Sequence, residues 1–398
     1  MADPPARLLD MTRSLRRAAR MATGVDRVER AYLDHLLQQD APIFGLARTA
    51  LGYVLLDRDG MRAFLDRLDG RASWGPSDVL SRLPRRRNVT LTRAESDLRR
   101  FAIARCLPFG LPRVLRRHLP QGFSYLNVGH SNLTDRVLGA VKRASGRVTV
   151  LVHDVIPLEH PEFQRPGTVV PFKGKIDRIS AMADLVIYNS HDTKMRSEAQ
   201  MPGRVPTAVV AHLGVTPPQP DTGQLPPGLP PAAPYFVTVG TIEPRKNHSF
   251  LLDVWHGLGP QAPPLLICGS RGWNNETVFD RLDRLPPGGP VREVPGLSDP
   301  ALAALVQGAT GLVFPSHSEG FGLPPVEALT LGTRVLCNDL QVLKEILGNK
   351  AVYASVSDTY LWIKTIESWA KNPPDARDAR KFVAPTWADH FNTVLRLT

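Results

Sequence analysis

Residues 311–338, GLVFPSHSEGFGLPPVEALTLGTRVLCN, decide the fold class of this chain. The uninterrupted apolar run GLVFPS (311–316) is typical of a strand buried on both faces of a sheet. A glycine-rich turn follows it, then a helix predicted from Pro325 to Leu331 and a second apolar strand, TRVLCN (333–338). Strand, turn, helix and strand form the unit from which parallel sheets are built. This stretch therefore predicts a parallel sheet covered by helices.

The same alternation continues on both sides of this stretch. Further strands are predicted at 148–157, 183–190, 207–214, 235–241 and 264–269, and helices at 191–199, 249–258 and 301–309. The proline-dense segment PPQPDTGQLPPGLPPAAP (217–234) is typical of an extended linker. We therefore predict an α/β protein with two doubly wound, Rossmann-like domains, 1–216 and 235–384, that face each other across a cleft. A terminal helix over 385–398 is expected to pack back on the first domain.

Composition places the chain among folded, soluble proteins. Its 398 residues exceed one ordinary core, and 42% are hydrophobic and 22% charged. No apolar run reaches the length of about 18 residues expected for a transmembrane helix, and the arginine-rich start lacks the apolar core of a secretory signal. Three widely spaced cysteines predict buried free thiols in a reducing compartment, so we expect a cytoplasmic protein.

The positive charge is concentrated in the first third of the chain. Residues 1–120 contain 23 Arg, no Lys and 13 acidic residues, which gives +10 of the total net charge of +11. Such asymmetry favours an anionic partner, and the alternative is an arginine-rich, solvated surface. Few aromatic residues interleave the arginines, so we predict no nucleic-acid binding. The segment from Thr92 to His118 is predicted to be helical, and the basic stretch from Arg82 to Arg117 is expected to rest on an anionic membrane surface.

The turn SEGFGLPPVE (318–327) is suited to a hydroxylated or anionic ligand. Gly320 and Gly322 allow the backbone to pass close to a ligand and to present its N–H groups, at the start of a helix. Glu319 and Glu327 stand eight positions apart, and each carboxylate can accept hydrogen bonds from a pair of hydroxyls on a sugar or ribose. Two ordinary surface glutamates beside a turn are the alternative.

A second motif, TIEPRKN (241–247), follows the strand predicted at 235–241. Arg245 offers a planar fork of donors and Lys246 a compact point charge, a combination that suits a diphosphate. Asn247 is predicted to cap the helix that follows. An Arg-Lys pair is usually solvated surface, but its position beside the turn at Gly240 favours an anion site.

These motifs resemble glycosyltransferase family 4, the retaining group 1 transferases with the GT-B fold of two Rossmann-like domains. The resemblance is specific from Phe236 to about Asp358, in GTIEPRKN, LLICGSRGW, FPSHSEGFGLPPVEALTLGTRVLCND and KEILGNKAVYAS. It is looser elsewhere, in TGVDRVERAYL (23–33), YLNVGHSNL (125–133), VHDVIPLEHPEF (152–163), LVIYNSHDT (185–193) and PTWADHFNTVLRL (385–397). Roughly residues 40–120 lie outside it.

The resemblance implies a role for each matching residue. On the donor side, Arg245 and Lys246 would neutralise the diphosphate, Glu327 would bind the ribose, and Glu319 would lie by the sugar. The remaining donor-binding positions implied in this way are Gly240, Asn247, Gly320, Phe321, Gly322, Leu323 and Gly24. Gly24 stands in Thr23-Gly24-Val25, where the family commonly has two consecutive glycines.

The N-terminal domain would contribute His153, which would contact the donor sugar from across the cleft. A histidine at a strand end is as often structural, and that alternative stays open. His130 and Asp154 are assigned to the acceptor side, and His130 is equally compatible with a histidine in a turn.

The resemblance implies a retaining transfer of a hexose, such as mannose or glucose, from a UDP- or GDP-sugar. The acceptor would be a glycan or a lipid-linked glycan of polysaccharide or lipopolysaccharide biosynthesis, at the inner face of the plasma membrane. Metal dependence usually accompanies an Asp-x-Asp motif, and Asp57-Arg58-Asp59 lies in a helical-looking segment, so we predict no metal and no cofactor. The alternatives are a catalytically silent GT-B protein that binds nucleotide sugars and a GT-B epimerase.

Overall fold

The chain folds into two α/β units, and each unit is built on its own sheet. The computed structural model describes residues 4–18, 20, 23–82, 88–231, 234–372 and 382–398. One sheet has eight strands in the order β4-β3-β2-β1-β5-β6-β7-β8, and the other has six in the order β11-β10-β9-β12-β13-β14. Helices cover both faces of each sheet, so the strands of both are mostly buried. The fold class predicted from the sequence is confirmed.

The N-terminal sheet is mixed at one edge. Its strands are β1 Arg7–Asp10, β2 Ile43–Thr49, β3 Gly52–Leu56, β4 Ala102–Cys106, β5 Ser124–Asn127, β6 Arg147–Val152, β7 Leu185–Tyr188 and β8 Thr207–Val210. Its helices are α1 Thr12–Arg17, α2 Gly24–Gln38, α3 Arg58–Leu68, α4 Val79–Arg82, α5 Val89–Phe101, α6 Leu111–His118, α7 Asp135–Arg143, α8 Ile156–Glu159, α9 Val169–Met182 and α10 His191–Ala199. Strand β3 runs antiparallel to both β2 and β4, and the other pairs are parallel.

The C-terminal sheet is parallel throughout. Its strands are β9 Phe236–Val239, β10 Leu265–Cys268, β11 Val291–Glu293, β12 Gly311–Phe314, β13 Val335–Cys337 and β14 Val352–Tyr353. Its helices are α11 His248–Leu258, α12 Glu276–Asp283, α13 Asp299–Gly308, α14 Leu323–Thr330, α15 Gln341–Leu347 and α16 Thr359–Lys371. Strands β9 and β12 are neighbours, which brings the turns that follow them to the same edge.

The last helix, α17 Trp387–Val394, lies on the N-terminal sheet's helices. His390 Nε2 is 2.7 Å from the hydroxyl of Tyr32 in α2, and the Phe391 ring stacks on His35 with centres 3.9 Å apart. The guanidinium of Arg7 in β1 donates to the carbonyls of Leu395 and Thr398. We propose domain boundaries at the linker 217–234, which contacts the C-terminal layer through Asp221 N–H and the Pro300 carbonyl, 3.1 Å apart.

One local prediction is wrong. The stretch from Thr92 to His118 is not helical throughout, because β4 interrupts it and forms the sheet edge through alternating exposed and half-buried residues. The strand predicted within 148–157 ends at Val152, and the polar turn expected after it leads into α8. Within the described part of the chain, none of the helices combines the length and apolar character needed to span a bilayer.

Candidate active site

Three charged side chains meet where β9 and β12 end. The Nζ of Lys246 lies 2.6 Å from Glu319 Oε1, and Nη1 of Arg245 lies 2.8 Å from the same oxygen. Arg245 also donates to the Ser318 carbonyl at 2.8 Å, and Glu243 Oε1 accepts from its Nη2 at 2.8 Å. Neighbouring parallel strands place the two motifs side by side, so the structure brings together the residues that the sequence assigned to a diphosphate and a sugar.

The charged groups in this cluster shift one another's pKa values. Burial by itself would raise the pKa of Glu319, but Arg245 and Lys246 outweigh it and lower that pKa to about 2. Burial lowers the pKa of Lys246 despite the attraction of Glu319. For Arg245 the neighbouring carboxylates outweigh burial, and its pKa is raised. The cluster therefore contains two half-buried cations and a buried carboxylate that stays ionised.

Backbone geometry positions Lys246. Residues Pro244–Lys246 form a single 3-10 turn, and the Asn247 N–H donates to the Pro244 carbonyl at 3.0 Å. Gly240 has φ +140°, and a Cβ there would lie 3.3 Å from Lys246 Cε. The expectation that the Asn247 side chain caps the following helix is wrong, because Asn247 adopts φ +55° to close the turn and its side chain makes no capping bond.

The glycine loop, residues 318–322, is one of the contacts between the two domains. A Cβ at Gly320 would lie only 2.1 Å from the carbonyl oxygen of His153, so only glycine permits this approach. Thr193 Oγ1 donates to the Gly320 carbonyl at 2.9 Å. Phe321 is buried, with its ring 6.2 Å from that of His212.

The helix after this loop begins against the other domain. Gly322 has φ +88° and occupies the N-cap position of α14, whose first residue is Leu323. A Cβ at Gly24, the first residue of α2, would lie 3.1 Å from Leu323 Cδ1. Gly24 is therefore at the interdomain contact, next to the glycine loop.

The N-terminal residues assigned to the site lie together after β5 and β6. The buried ring of His153 hydrogen-bonds through Nε2 to the Val128 carbonyl at 2.7 Å, and burial lowers its pKa to about 4. His130 adopts φ +54° in the preceding loop and packs its ring 5.1 Å from that of His153. Asp154 approaches Gly320, and burial raises its pKa although Arg245 opposes the shift. His153 is therefore neutral at physiological pH, and its carbonyl, rather than its ring, contacts the glycine loop.

Glu327 is separate from this cluster and pairs with the other domain. The carboxylate of Glu327 contacts Arg27 of α2, which also lies 3.4 Å from Asp299. Burial raises the pKa of Glu327, against the opposing charge of Arg27. The apolar side chains of Val239 and Leu302 lie beside this pair, around a cavity of about 20 Å³. The surroundings suit a nucleoside, but in this arrangement Arg27 fills the space.

Sequence reasoning missed several residues of the site. Arg196 of α10 donates to Ser318 Oγ at 2.8 Å and to the Glu319 carbonyl at 3.2 Å, and it is paired with Glu159 and Asp192. Arg27 and Arg196 contact residues of the other domain, across the cleft. Nothing local in the sequence indicates these partners. Glu243, by contrast, lies inside the TIEPRKN motif, and its position before the Arg-Lys pair was an available signal.

The Asp-x-Asp sequence has a structural explanation. Asp57 caps α3, because its carboxylate accepts from the Gly60 N–H at 2.9 Å, and Asp59 lies 3.8 Å from Arg62. Among the residues that the structure describes, no group of three or more His, Cys, Asp or Glu side chains is arranged to hold a metal ion. The absence of a metal requirement stays a prediction.

Known proteins share the motifs of the C-terminal domain. Residues 226–383 match the family described as glycosyl transferases group 1. The serotype-specific mannosyltransferase WbdA of Escherichia coli is 29% identical over 250 residues, which cover 58% of this chain and 31% of WbdA. O-antigen chain mannosyltransferase B of the same species is 34% identical over 127 residues, 31% of this chain and 33% of that protein. The chain thus spans about a third of the length of these relatives.

The whole chain has a structural counterpart. The crystal structure of Anabaena Alr3699/HepE in complex with UDP-glucose superimposes with a TM-score of 0.61 at 14% identity, covering 98% of this chain and 95% of that one. A likeness at this identity shows the fold, which is GT-B. With the family match over the glycine loop and the Arg-Lys motif, the resemblance stated from the sequence is confirmed. Residues 226–383 of this chain are thus similar to the group 1 glycosyl transferases.

Proposed function

We propose that this protein is a retaining, metal-independent glycosyltransferase that moves a hexose from a UDP- or GDP-sugar to a glycan or lipid-linked acceptor. The observation that carries the proposal is the cluster of the half-buried Arg245 and Lys246 with the buried Glu319 at the ends of β9 and β12. The similarity to O-antigen mannosyltransferases supports a hexose such as mannose and a role in polysaccharide or lipopolysaccharide synthesis.

The cluster fits the charge that develops during sugar transfer. Breaking the bond between the sugar and the diphosphate leaves negative charge on the departing phosphate, and fixed cations stabilise it. Glu319 neutralises part of the charge of Lys246 and Arg245. We expect phosphate oxygens to take over these cations, which would free the Glu319 carboxylate to accept hydrogen bonds from sugar hydroxyls.

Retention is proposed to follow a front-face attack by the acceptor hydroxyl. The sugar would pass through an oxocarbenium-like transition state, as in glycoside hydrolysis. Glu319 is bound by two cations and lies beside the phosphate groups, a position suited to orienting the donor. Nuclear magnetic resonance of the product anomer tests this point, since an inverted product would contradict it.

The experiment that tests the proposal is a thermal-shift screen with UDP, GDP, ADP and their common sugars, each with and without EDTA. A ligand that binds only the folded chain raises the melting temperature in proportion to the logarithm of its concentration over its dissociation constant. Stabilisation by one nucleotide family, unchanged by EDTA, is the expected result. Equal melting temperatures with every nucleotide would contradict donor binding, and a shift abolished by EDTA would contradict metal independence.

We also propose that the edge of the N-terminal sheet rests on an anionic membrane surface. Apolar and basic side chains alternate along this edge and are exposed to solvent. Phe109, for example, is 86% exposed. The exposed members of this patch are Ile103, Arg105, Leu107, Phe109, Arg113, Arg116 and Arg117. The basic residues Arg85, Arg86 and Arg87, to which the membrane prediction also applied, lie outside the described residues.

Vesicle sedimentation tests the membrane proposal. Replacing Arg113, Arg116 and Arg117 together by glutamine is expected to weaken binding to vesicles that contain phosphatidylglycerol, since each basic residue near such a surface contributes about 1 kcal/mol. Added salt should weaken the wild type in the same way. Binding that does not depend on vesicle charge, or a variant that binds vesicles as well as the wild type does, would contradict the proposal.

A further inference from the structure

A basic cluster borders the N-terminal half of the cleft. Arg13 of α1 and Lys175 of α9 come from separate elements, and His130 lies on the loop between them. The ring centres of His130 and Phe172 lie 6.2 Å apart, and Lys175 Nζ lies 5.9 Å from the Phe172 ring centre. The same loop lies against α1, since a Cβ at Gly129 would be 3.1 Å from Arg13 Cβ.

This cluster is continuous with the donor side of the cleft. His130 packs against His153, with ring centres 5.1 Å apart, and the His153 carbonyl touches Gly320 of the glycine loop. Arg245 and Lys246 lie on the far side of that loop, next to Glu319. The cleft therefore has two separate groups of cations, one in each domain.

Lys175 has no carboxylate partner within the described residues, where it makes neither a hydrogen bond nor an ion pair. Asp26 is the carboxylate near Arg13, at 2.6 Å, and Arg17 shares it at 3.1 Å. Burial and the charges of Arg13, Arg16 and Arg178 lower the pKa of Lys175.

The nearby Glu29 does not supply the missing negative charge. Its carboxyl is 1% exposed and accepts a hydrogen bond from the Ser14 N–H at 2.7 Å. Burial raises the pKa of Glu29 to about 8, so this carboxyl is mostly protonated at neutral pH. Arg13 and Arg17 already share Asp26, whereas Lys175 lies among like charges, so an anion bound beside Lys175 would offset this repulsion.

We propose that Lys175 and Arg13, with the exposed Arg16 beside them, bind a phosphate group carried by the acceptor. The inference rests on the proposed function, because it assigns the N-terminal half of the cleft to the acceptor. A phosphate offers the multiple negative charges and acceptor oxygens that a point-charge lysine and a forked arginine bind together. The acceptor is therefore a phosphate ester, supplied either as a free sugar phosphate or as a polyprenyl phosphate in a membrane.

Binding measurements with two probes test the proposal and separate the sources. Glucose 1-phosphate is titrated calorimetrically, and vesicles of phosphatidylcholine with and without polyprenyl phosphate are tested by sedimentation. Lys175→Gln is expected to weaken binding of one of these probes about tenfold, as loss of a charged hydrogen-bonding partner does. Lys173→Gln, two residues earlier on α9 and paired with Asp177, is the matched control and should bind as the wild type does.

The donor site is assayed on the same variants. Nucleoside diphosphate affinity should be unchanged in Lys175→Gln and lowered in Lys246→Gln. Phosphate binding that is equal in Lys175→Gln and the wild type, that is lost only in Lys246→Gln, or that is absent with both probes would overturn the proposal. Failure of the wild type to bind any nucleotide would instead contradict the proposed function, and the two failures are thus distinguishable.

Discussion

Single residues limit the space at the proposed donor site. Arg27 pairs with Glu327 and Asp299, and the space left beside Glu327 is too small for a nucleoside. Gly320 and Lys246 were predictable because each stands in a short motif whose chemistry is local. Arg27 was not, since its partner Glu327 lies 300 positions further along the chain.

Arg27→Ala is expected to raise nucleotide affinity. In the proposed donor site the ribose would compete with Arg27 for Glu327, so removal of Arg27 is expected to raise nucleotide affinity about three- to tenfold. Calorimetric titration with the stabilising nucleotide measures this change. Arg30→Ala, on the same helix and paired with Asp34, is the control. A weaker affinity in Arg27→Ala would show instead that this arginine binds the donor.

Glu29 links stability to pH. Its pKa is about 8 in the folded chain because burial disfavours the ionised form, against an ordinary value of 4.5. Between these values the folded state holds the proton more tightly than the unfolded state, so the free energy of unfolding falls as the pH rises. Glu29→Gln is expected to flatten this decline in urea unfolding between about pH 5 and pH 9, with exposed Glu276→Gln as control. Profiles that decline equally in Glu29→Gln and the wild type would contradict the assignment.

At the scale of elements, apolar strands were predictable and short mixed strands were not. Strands β9, β10, β12 and β13 lie within the predicted segments, because every residue of these runs is apolar or small. Strand β4 was missed because the sequence AIARC alternates and is surrounded by arginines. Strand β1 is four residues long, and its neighbours in the sheet come from remote positions, so its local pattern is too short to identify it.

One helix end is completed by the other domain. The carboxylate of Glu345 in α15 accepts from the N–H groups of His191 and Asp192 at the start of α10, at 2.7 Å and 3.0 Å. The His212 ring lies 3.0 Å from the same carboxylate. Burial would raise the pKa of Glu345, but these donors outweigh it and the pKa is lowered.

Glu345→Ala is expected to lower the free energy of unfolding by about 1–2 kcal/mol, the usual cost of removing a helix cap with its charge. Urea unfolding followed by circular dichroism measures this. The surface residue Glu367, paired with Lys364 on α16, is the control, and Glu367→Ala is expected to leave the free energy of unfolding nearly unchanged. Equal effects of the two substitutions would contradict the interdomain cap.

At the scale of the whole molecule, the contacts between the two domains involve backbone atoms as much as charged side chains. The fold class and the donor motifs could be predicted, since each depends on contiguous sequence. The interdomain contacts of Gly320 with His153, and of Arg196 with Ser318, depend on how two separate sheets face each other. No short pattern encodes that arrangement, which is why these contacts could not be predicted.

Gly320→Ala tests whether this close approach is needed. A Cβ would lie 2.1 Å from the His153 carbonyl, so the domains would have to move apart while each keeps its core. Donor sugar turnover is expected to fall more than about tenfold, with little change in circular dichroism. Gly139→Ala, in α7 and away from the cleft, is the control. Undiminished turnover in Gly320→Ala would show that the approach is dispensable.

The most direct test of the central claim compares a nucleoside diphosphate with its nucleoside, in the wild type and in Lys246→Ala. Lys246 is proposed to bind the diphosphate of the donor. The wild type should therefore bind UDP or GDP much more tightly than uridine or guanosine. In Lys246→Ala, the ratio of diphosphate affinity to nucleoside affinity should be at least about tenfold smaller than in the wild type. Nucleoside affinity and melting temperature should be nearly unchanged. Exposed Lys364→Ala is the control. If Lys246→Ala keeps the full preference for the diphosphate, the cluster of Arg245, Lys246 and Glu319 is not the donor phosphate site.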